Sequence, residues 1–210
     1  MDSILPTLDI EQALAMLNGT MAELRDTQER LKTSQDQLDE MNMLLFEQSA
    51  TDALTGLKNR AAFDRIMKQQ ASRAGRSRAP LSLVMVDVDH CKNFNEEFGR
   101  VGGDEALQKV AAVLKSYARA YDYVVRYQSD EFVVVLPDTA LDGAQIVAER
   151  ARAAVQAIAW RRKGVTVSIG VAAALTAEEN ATLLARLAAA LDKARAAGGN
   201  QVHIDGLGVV

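Results

Sequence analysis

The stretch Arg126-Tyr127-Gln128-Ser129-Asp130-Glu131-Phe132 lies between two apolar runs. Tyr123 to Tyr127 reads as one strand and Phe132 to Leu136 as the next. So few residues separate them that only a tight hairpin connects them. Two adjacent carboxylates, Asp130 and Glu131, therefore stand at the hairpin tip or just inside the second strand. A second acidic pair, Asp87 and Asp89, closes another apolar strand that begins at Leu81. Carboxylates at the ends of neighbouring buried strands are the hard oxygen ligands that Mg²⁺ takes when it carries a nucleotide's phosphates.

Outward from this hairpin the chain alternates strands and helices. The pattern predicts a helix from Asn59, its N-cap, to about Ala74, a loop over 75–80, and a strand over 81–88. A short helix over 92–98 and a longer one over 104–120 follow, the second capped by Asp104. After the hairpin strands, 123–128 and 131–136, come a helix over 140–159, a strand over 165–172, a helix over 180–197 and a strand over 201–204. Strands alternating with helices around one central hairpin give an α/β (α+β) sandwich with a mostly antiparallel sheet.

Ahead of this domain, Ile10, Leu14, Leu17, Met21, Leu24, Gln28, Leu31, Gln35, Leu38, Asn42 and Leu45 are spaced alternately four and three apart. That is a heptad seam, apolar at every second position and polar at the other after Met21. It favours a two-stranded parallel coil. The alternative is one amphipathic helix packed on its own domain, but the seam is long and narrow for that. At 1.5 Å per residue the stalk is about 60 Å long. The expected organisation is a dimerisation stalk over 1–50 and a globular domain over 51–210.

The 210-residue chain carries a net charge of −4 with both signs interspersed, which gives no footprint for a nucleic-acid polymer. Cys91 is the single cysteine, so no disulfide framework exists. No apolar run reaches the ~20 residues of a spanning helix, and Met-Asp-Ser-Ile-Leu-Pro lacks the basic start and apolar core of a signal peptide. The expectation is a cytoplasmic protein with no membrane partner.

Arg-Tyr-x-x-Asp-Glu-Phe, following an upstream Asp-Val-Asp-His-Cys-Lys-Asn-Phe-Asn, resembles the GGDEF family, the diguanylate cyclases. Asp52-Ala53-Leu54-Thr55-Gly56-Leu57-Lys58-Asn59-Arg60 is similar to the family's opening D-x-L-T-G-L-x-N-R. The resemblance implies a palm-like fold shared with nucleotide cyclases and polymerases. It implies condensation of two GTP into cyclic di-GMP by a homodimer, with Mg²⁺ (or Mn²⁺) as cofactor. By resemblance Asp87, the backbone carbonyl of Val88 and Asp130 hold the metal, and Glu131 is the candidate base. Lys92 matches the lysine that contacts the terminal phosphates, and Asn95 and Asp104 match the pair that reads guanine. Arg119-Ala120-Tyr121-Asp122 has the form and place of the family's R-x-x-D product-inhibition site, to which Arg150 adds a second arginine in some relatives.

Each residue also has a plainer reading. Asp87 could cap the segment after it, and Asp89 the turn. Glu131 could be a solvated edge-strand residue, Lys92 a solvated lysine, and Arg119 with Asp122 a helix-end salt bridge. Gly102-Gly103-Asp104-Glu105 spells the family name but precedes a helical pattern, so it is not the signature.

The signature itself departs from the family, with Gln128-Ser129 where Gly-Gly is usual. If the turn keeps a positive φ, each β-carbon there costs about 1–2 kcal/mol, and the Gln side chain competes for ribose or phosphate space. Near the C-terminus Arg195 replaces a phosphate-binding lysine and Gly199 a phosphate-binding arginine. These changes leave open a second expectation, a non-catalytic module that binds cyclic di-GMP or GTP and signals through its coil.

Overall fold

The computed structural model of the chain describes residues 10–160, 164–176 and 178–206, with side chains at 12–38, 41 and from 50 onward within those spans. The chain divides into two compact units, Met1–Ser49 and Ala50–Val210.

The first unit is one helix, α1 (Ile10–Ser49). Leu14, Leu17, Met21, Leu24, Leu31 and Leu38 of the seam are all exposed in the single chain. The seam side chains of Ile10, Asn42 and Leu45 lie outside the described residues.

The second unit follows the order α2 (Arg60–Ser77), β1 (Leu81–Val88), α3 (Cys91–Tyr117), β2 (Tyr123–Arg126), β3 (Glu131–Pro137), α4 (Leu141–Gln156), β4 (Val167–Ala173), α5 (Asn180–Ala196), β5 (Val202–Ile204). The five strands form one sheet in the order β2-β3-β1-β4-β5. Every pairing is antiparallel except β4 with β5. Alternation along the strands sends even-numbered residues of β1 and β3 to one face. There Val84, Val86, Phe132 and Val134 pack with buried residues of α3 and α4.

Residues of opposite parity face α5. Helix α5 buries Leu183, Leu187, Ala190, Leu191 and Ala194, a single stripe of the helix. Gly170 on β4 lets it come close, since a β-carbon there would lie 2.5 Å from the Leu191 backbone nitrogen. With no side chain between them, the helix backbone rests on the sheet, and the next residue after Ala194 is carried to the strand ends where the acidic residues collect.

Two boundaries differ from the sequence reading. Helix α2 continues through Gly75 to Ser77 and is ended by Arg78 in the left-handed region, so only the last residues of the expected 75–80 loop are loop. The break expected between the helices over 92–98 and 104–120 is present inside α3, where Gly99 is non-helical (φ 74°, ψ 169°), but the second helix begins just after Gly99 and not at Asp104. Asp104 therefore lies inside α3 and does not cap a helix. Gly102 and Gly103 do not break it, because each meets a crowded wall: a β-carbon on Gly102 would lie 2.9 Å from Phe98 Cβ.

Asp89 fastens the domain. It is 9% exposed and accepts hydrogen bonds from Thr166 Oγ1 (2.6 Å), Ser168 Oγ (2.6 Å) and the Asn200 backbone N–H (2.9 Å). The turn cap expected of it is thus a tie between β1, β4 and the segment before β5. Asp89→Ala leaves one buried donor (Ser168) and two half-buried donors (Thr166 and Asn200) unpaired, each worth about 1–3 kcal/mol when fully buried. The expected loss is about 3 kcal/mol or more of unfolding free energy, read from urea denaturation. A loss under about 1 kcal/mol would contradict this role.

Candidate active site

Asp87, the penultimate residue of β1, pairs directly with Glu131, the first residue of β3. Opposed residues of antiparallel strands project to one face, and like charges so placed repel. Here a cation lies between them. Arg195, in the last turn of α5, donates from Nε to Asp87 Oδ2 (3.0 Å), and its Nη2 lies 2.6 Å from Asp87 Oδ1 and 2.8 Å from Glu131 Oε1.

Burial pushes the Asp87 carboxyl above its ordinary value; Arg195 opposes this, and the like charges of Asp130 and Glu131 reinforce it. The Arg195 guanidinium is held protonated more firmly than usual, first by its hydrogen bond to Asp87 and then, against the effect of burial, by Glu131. The two directions agree physically: Arg195 gains two carboxylates, whereas Asp87 gains one cation and faces two anions.

Asp130 stands one residue before Glu131 and opens toward α3. With Lys92, Asn95, Gly103 and Asp104 it lines a cavity of about 520 Å³. The structure thus brings together four residues that the sequence reading grouped, Lys92, Asn95, Asp104 and Asp130. It sets Asp87, Glu131 and Arg195 as a second group around the strand ends. The Val88 N–H donates to the Asp130 carbonyl (3.2 Å), which ties the two acidic segments together.

This donor set fits a divalent cation. Asp87 feels the charge of Asp130, and the chain's own cation is already drawn to Asp87. Among the described residues no three His, Cys, Asp or Glu side chains form a metal cage. Two carboxylates and a backbone carbonyl would supply part of the hard-oxygen set that Mg²⁺ takes together with a nucleotide's phosphates.

Asn95 depends on a bare backbone opposite it. A β-carbon on Gly103 would lie 1.7 Å from Asn95 Oδ1. Gly103→Ala is expected to push the Asn95 amide away rather than unfold the helix, since alanine is the better helix former. On the reading of Asn95 as a guanine contact, implied by the family resemblance, GTP affinity measured by calorimetry should fall by about tenfold, the worth of one hydrogen bond of about 1–1.5 kcal/mol. Unchanged affinity would remove Asn95 from base recognition.

The family profile described as "Diguanylate cyclase, GGDEF domain" matches residues 49–201. The chain belongs to the GGDEF family. Diguanylate cyclase DgcP of Pseudomonas aeruginosa is 36% identical over 162 residues, covering 75% of this chain and 24% of that protein. Response regulator PleD of Caulobacter vibrioides is 41% identical over 165 residues, covering 74% of this chain and 36% of the relative. The chain thus spans about a quarter to a third of the length of these relatives. Among solved structures, the coiled coil and GGDEF domain of DgcB from Caulobacter crescentus, in complex with c-di-GMP, aligns with a TM-score of 0.74 at 26% identity. That alignment covers 88% of this chain and 98% of the other.

The GGDEF signature turn is built without glycine. Neither Gln128 nor Ser129 has a positive φ, so the strain expected of their β-carbons does not arise. The Tyr127 and Gln128 N–H groups both donate to the Glu131 carbonyl (2.8 and 3.1 Å). Arg126 braces the turn from outside, donating from Nε to the Ser129 carbonyl (3.1 Å) and from Nη1 to Asp52 (3.1 Å). Asp52 also accepts from the Thr55 N–H and hydroxyl (2.9 and 2.7 Å). Burial raises the Asp52 carboxyl, but Thr55 and then Arg126 outweigh it and hold it below the ordinary value. The D-x-L-T motif of this GGDEF domain is thereby a clamp on the signature hairpin. Gln128 is exposed and does not line the cavity, while Ser129 does, its hydroxyl donating to Asp130 Oδ1 (2.7 Å).

The Arg119–Asp122 motif forms a turn. Asp122 Oδ2 accepts from the Arg119 backbone N–H (2.7 Å), and the Asp122 N–H donates to the Arg119 carbonyl (3.1 Å). The side-chain salt bridge considered from sequence is replaced by this backbone cap. Both residues line a separate cavity of about 400 Å³ with Lys58 and Lys115. Arg150 is on the exposed side of α4 and does not line it.

Sequence reasoning missed the Arg195 bridge, the Asp89 tie and the Arg126–Asp52 clamp. Only the clamp had a local signal, since both its residues sit in motifs. Cys91 lines the α3 cavity half-buried, and burial with the charges of Asp130 and Asp87 pushes its thiol up, which makes it a wall rather than a nucleophile.

Proposed function

We propose that this protein is a cytoplasmic diguanylate cyclase that works as a homodimer. Two GTP condense to cyclic di-GMP and two pyrophosphates: each 3′-oxygen bonds to the α-phosphorus of the other GTP as its bond to pyrophosphate breaks. The observation that carries this reading is the convergence of Asp87, Asp130 and Glu131 at the strand ends, beside a cavity that holds Lys92, Asn95 and Asp104.

Asp87, Asp130 and the Val88 carbonyl would hold Mg²⁺ (or Mn²⁺), which would supply charge neutralisation at the phosphates. Lys92 binds the terminal phosphates as a point charge. Asn95 and Asp104 read the guanine edge, where a carboxylate accepts from both N1–H and the 2-amino group. Glu131 takes the proton of the 3′-hydroxyl. The α1 seams of two chains zip together, which gives each half-reaction its partner. Incubation with GTP and Mg²⁺, followed by chromatography, should show cyclic di-GMP and pyrophosphate in a 1:2 ratio; GTP left intact at every protein concentration would end this reading.

One observation favours a second reading. Arg195 already sits on the carboxylates and Gly199 carries no charge, as expected of a module that binds nucleotide without turning it over. Such a module senses cyclic di-GMP through Arg119 and Asp122. Calorimetry on the parent and on Arg119→Ala decides it, since equal affinities exclude that site.

A further inference from the structure

Arg195 spends its whole guanidinium on carboxylates. Nε and Nη2 cover both oxygens of Asp87 (3.0 and 2.6 Å), Nη2 also reaches Glu131 Oε1 (2.8 Å), and Nη1 reaches Asp192 Oδ1 (3.2 Å). The carboxylates are the fixed partners, with side chains 14% (Asp87) and 17% (Glu131) exposed on strand ends. The arginine side chain is 36% exposed at the end of a helix, so it is the partner able to swing away.

We propose that Arg195 is a tethered counter-cation: it holds the metal-binding carboxylates shut until a metal-bound triphosphate arrives, and then transfers its fork from carboxylate to phosphate. The proposal rests on the reading of Asp87 as a metal ligand. A divalent ion and a side-on guanidinium cannot both use the two oxygens of Asp87. A metal arriving alone must therefore break charge-assisted hydrogen bonds and leave the guanidinium without a partner. A metal arriving with a triphosphate offers that guanidinium a new planar, bidentate anion, which suits Arg as well as a carboxylate does. Metal and nucleotide consequently bind with positive coupling, and the coupling is reciprocal. The resting site is closed to free metal by its own arginine. Lysine, a single point donor, cannot cover both oxygens of Asp87, so the device depends on the Arg found here.

A purely structural ion pair makes a different prediction for the nucleotide. Its loss would free the carboxylates for metal but leave analogue affinity unchanged, whereas loss of a counter-cation that moves to phosphate strengthens metal binding and weakens the analogue. An analogue affinity unchanged in Arg195→Ala therefore also overturns the proposal. Binding of Mn²⁺ in the absence of nucleotide is followed by the electron paramagnetic resonance signal of the free ion. The chains compared are the full-length parent, Arg195→Ala, Arg195→Lys and Arg195→Ala/Asp87→Asn. Binding of a non-hydrolysable GTP analogue at saturating Mg²⁺ is followed by calorimetry.

The expected result is that Arg195→Ala binds Mn²⁺ at least tenfold more tightly than the parent and the analogue at least tenfold more weakly. Arg195→Lys should fall between on both axes. Adding Asp87→Asn should abolish the gain in Mn²⁺ affinity, which locates it at this carboxylate. Mn²⁺ affinity unchanged or weakened in Arg195→Ala overturns the proposal. So does a gain that survives Asp87→Asn. If the parent fails to bind the analogue with Mg²⁺, the metal–nucleotide reading itself falls. If the parent binds it while Arg195→Ala gains no Mn²⁺ affinity, the counter-cation proposal alone falls.

Discussion

Asp87→Asn is expected to lower the rate of GTP condensation by about a thousandfold or more while leaving the fold as stable as before, or more so. The rate loss follows from what the carboxylate does. Metal polarisation of a phosphoryl group is worth several kcal/mol, and each 1.36 kcal/mol is a factor of ten. On the proposed reading of Asp87 as one of two anionic metal ligands, its loss costs about three powers of ten. The stability expectation follows from electrostatics. The Asp87 carboxyl titrates above its ordinary value because burial and two neighbouring anions disfavour its charge, even with Arg195 beside it. A group raised in this way contributes stability below the unfolded value of 3.8, and that contribution is lost as pH rises through the folded value. At pH 7 the parent carries the penalty and the neutral amide does not. The variant should melt at the same temperature or higher at pH 7, and the difference should shrink as pH falls and vanish well below 3.8, where the carboxyl is protonated in both states. A variant that keeps parental turnover, or that melts well below the parent at pH 7, contradicts this account. Activity and stability pull in opposite directions at such a position, as they do at many strained sites.

The two central strands were plain in the sequence because continuous apolar runs, Leu81–Val86 and Phe132–Leu136, are closed by carboxylates and need no context to be read. Asn59 was equally plain: its side chain accepts from the Ala62 N–H (3.0 Å), a local bond that spacing alone announces. What periodicity hides is tertiary crowding. Gly102 and Gly103 look like breakers, yet they stay helical, since their missing β-carbons are what Phe98 and Asn95 require. Gly75 likewise fails to end α2, and the left-handed Arg78 ends it instead. The strain expected at Gln128-Ser129 vanished because the turn found a path with no positive φ, braced by Arg126. The site was legible as a set of residues and opaque as a set of bonds. Arg195 lies 108 residues from Asp87 and 64 from Glu131, and no repeat connects them. Asp89 reaches partners 77, 79 and 111 residues away, so a short-range cap was all that its neighbours in sequence could suggest.

Charge on the stalk seam should have a comparably large effect. Leu24 and Leu31 are 60% and 66% exposed in the single chain, so replacing both with Asp removes nothing the helix needs for itself. In a dimer they are the positions that matter most, because the alternate seam positions nearby, Gln28 and Gln35, are polar and contribute little. Burying one leucine is worth about 1.5–3 kcal/mol. Four such side chains, two from each chain, are therefore worth about 6–12 kcal/mol, or at least about four powers of ten in dissociation constant. Leu24→Asp/Leu31→Asp should sediment as a monomer at micromolar concentration. Its turnover per chain should drop by about a hundredfold or more and rise again in proportion to protein concentration, as the proposed reaction between two facing domains requires. The binding of one GTP analogue per chain should survive, because the cavity is lined by residues of a single domain. A double variant that remains dimeric and fully active would show that the domains pair through another surface, and the seam of α1 would then have to serve some other partner helix.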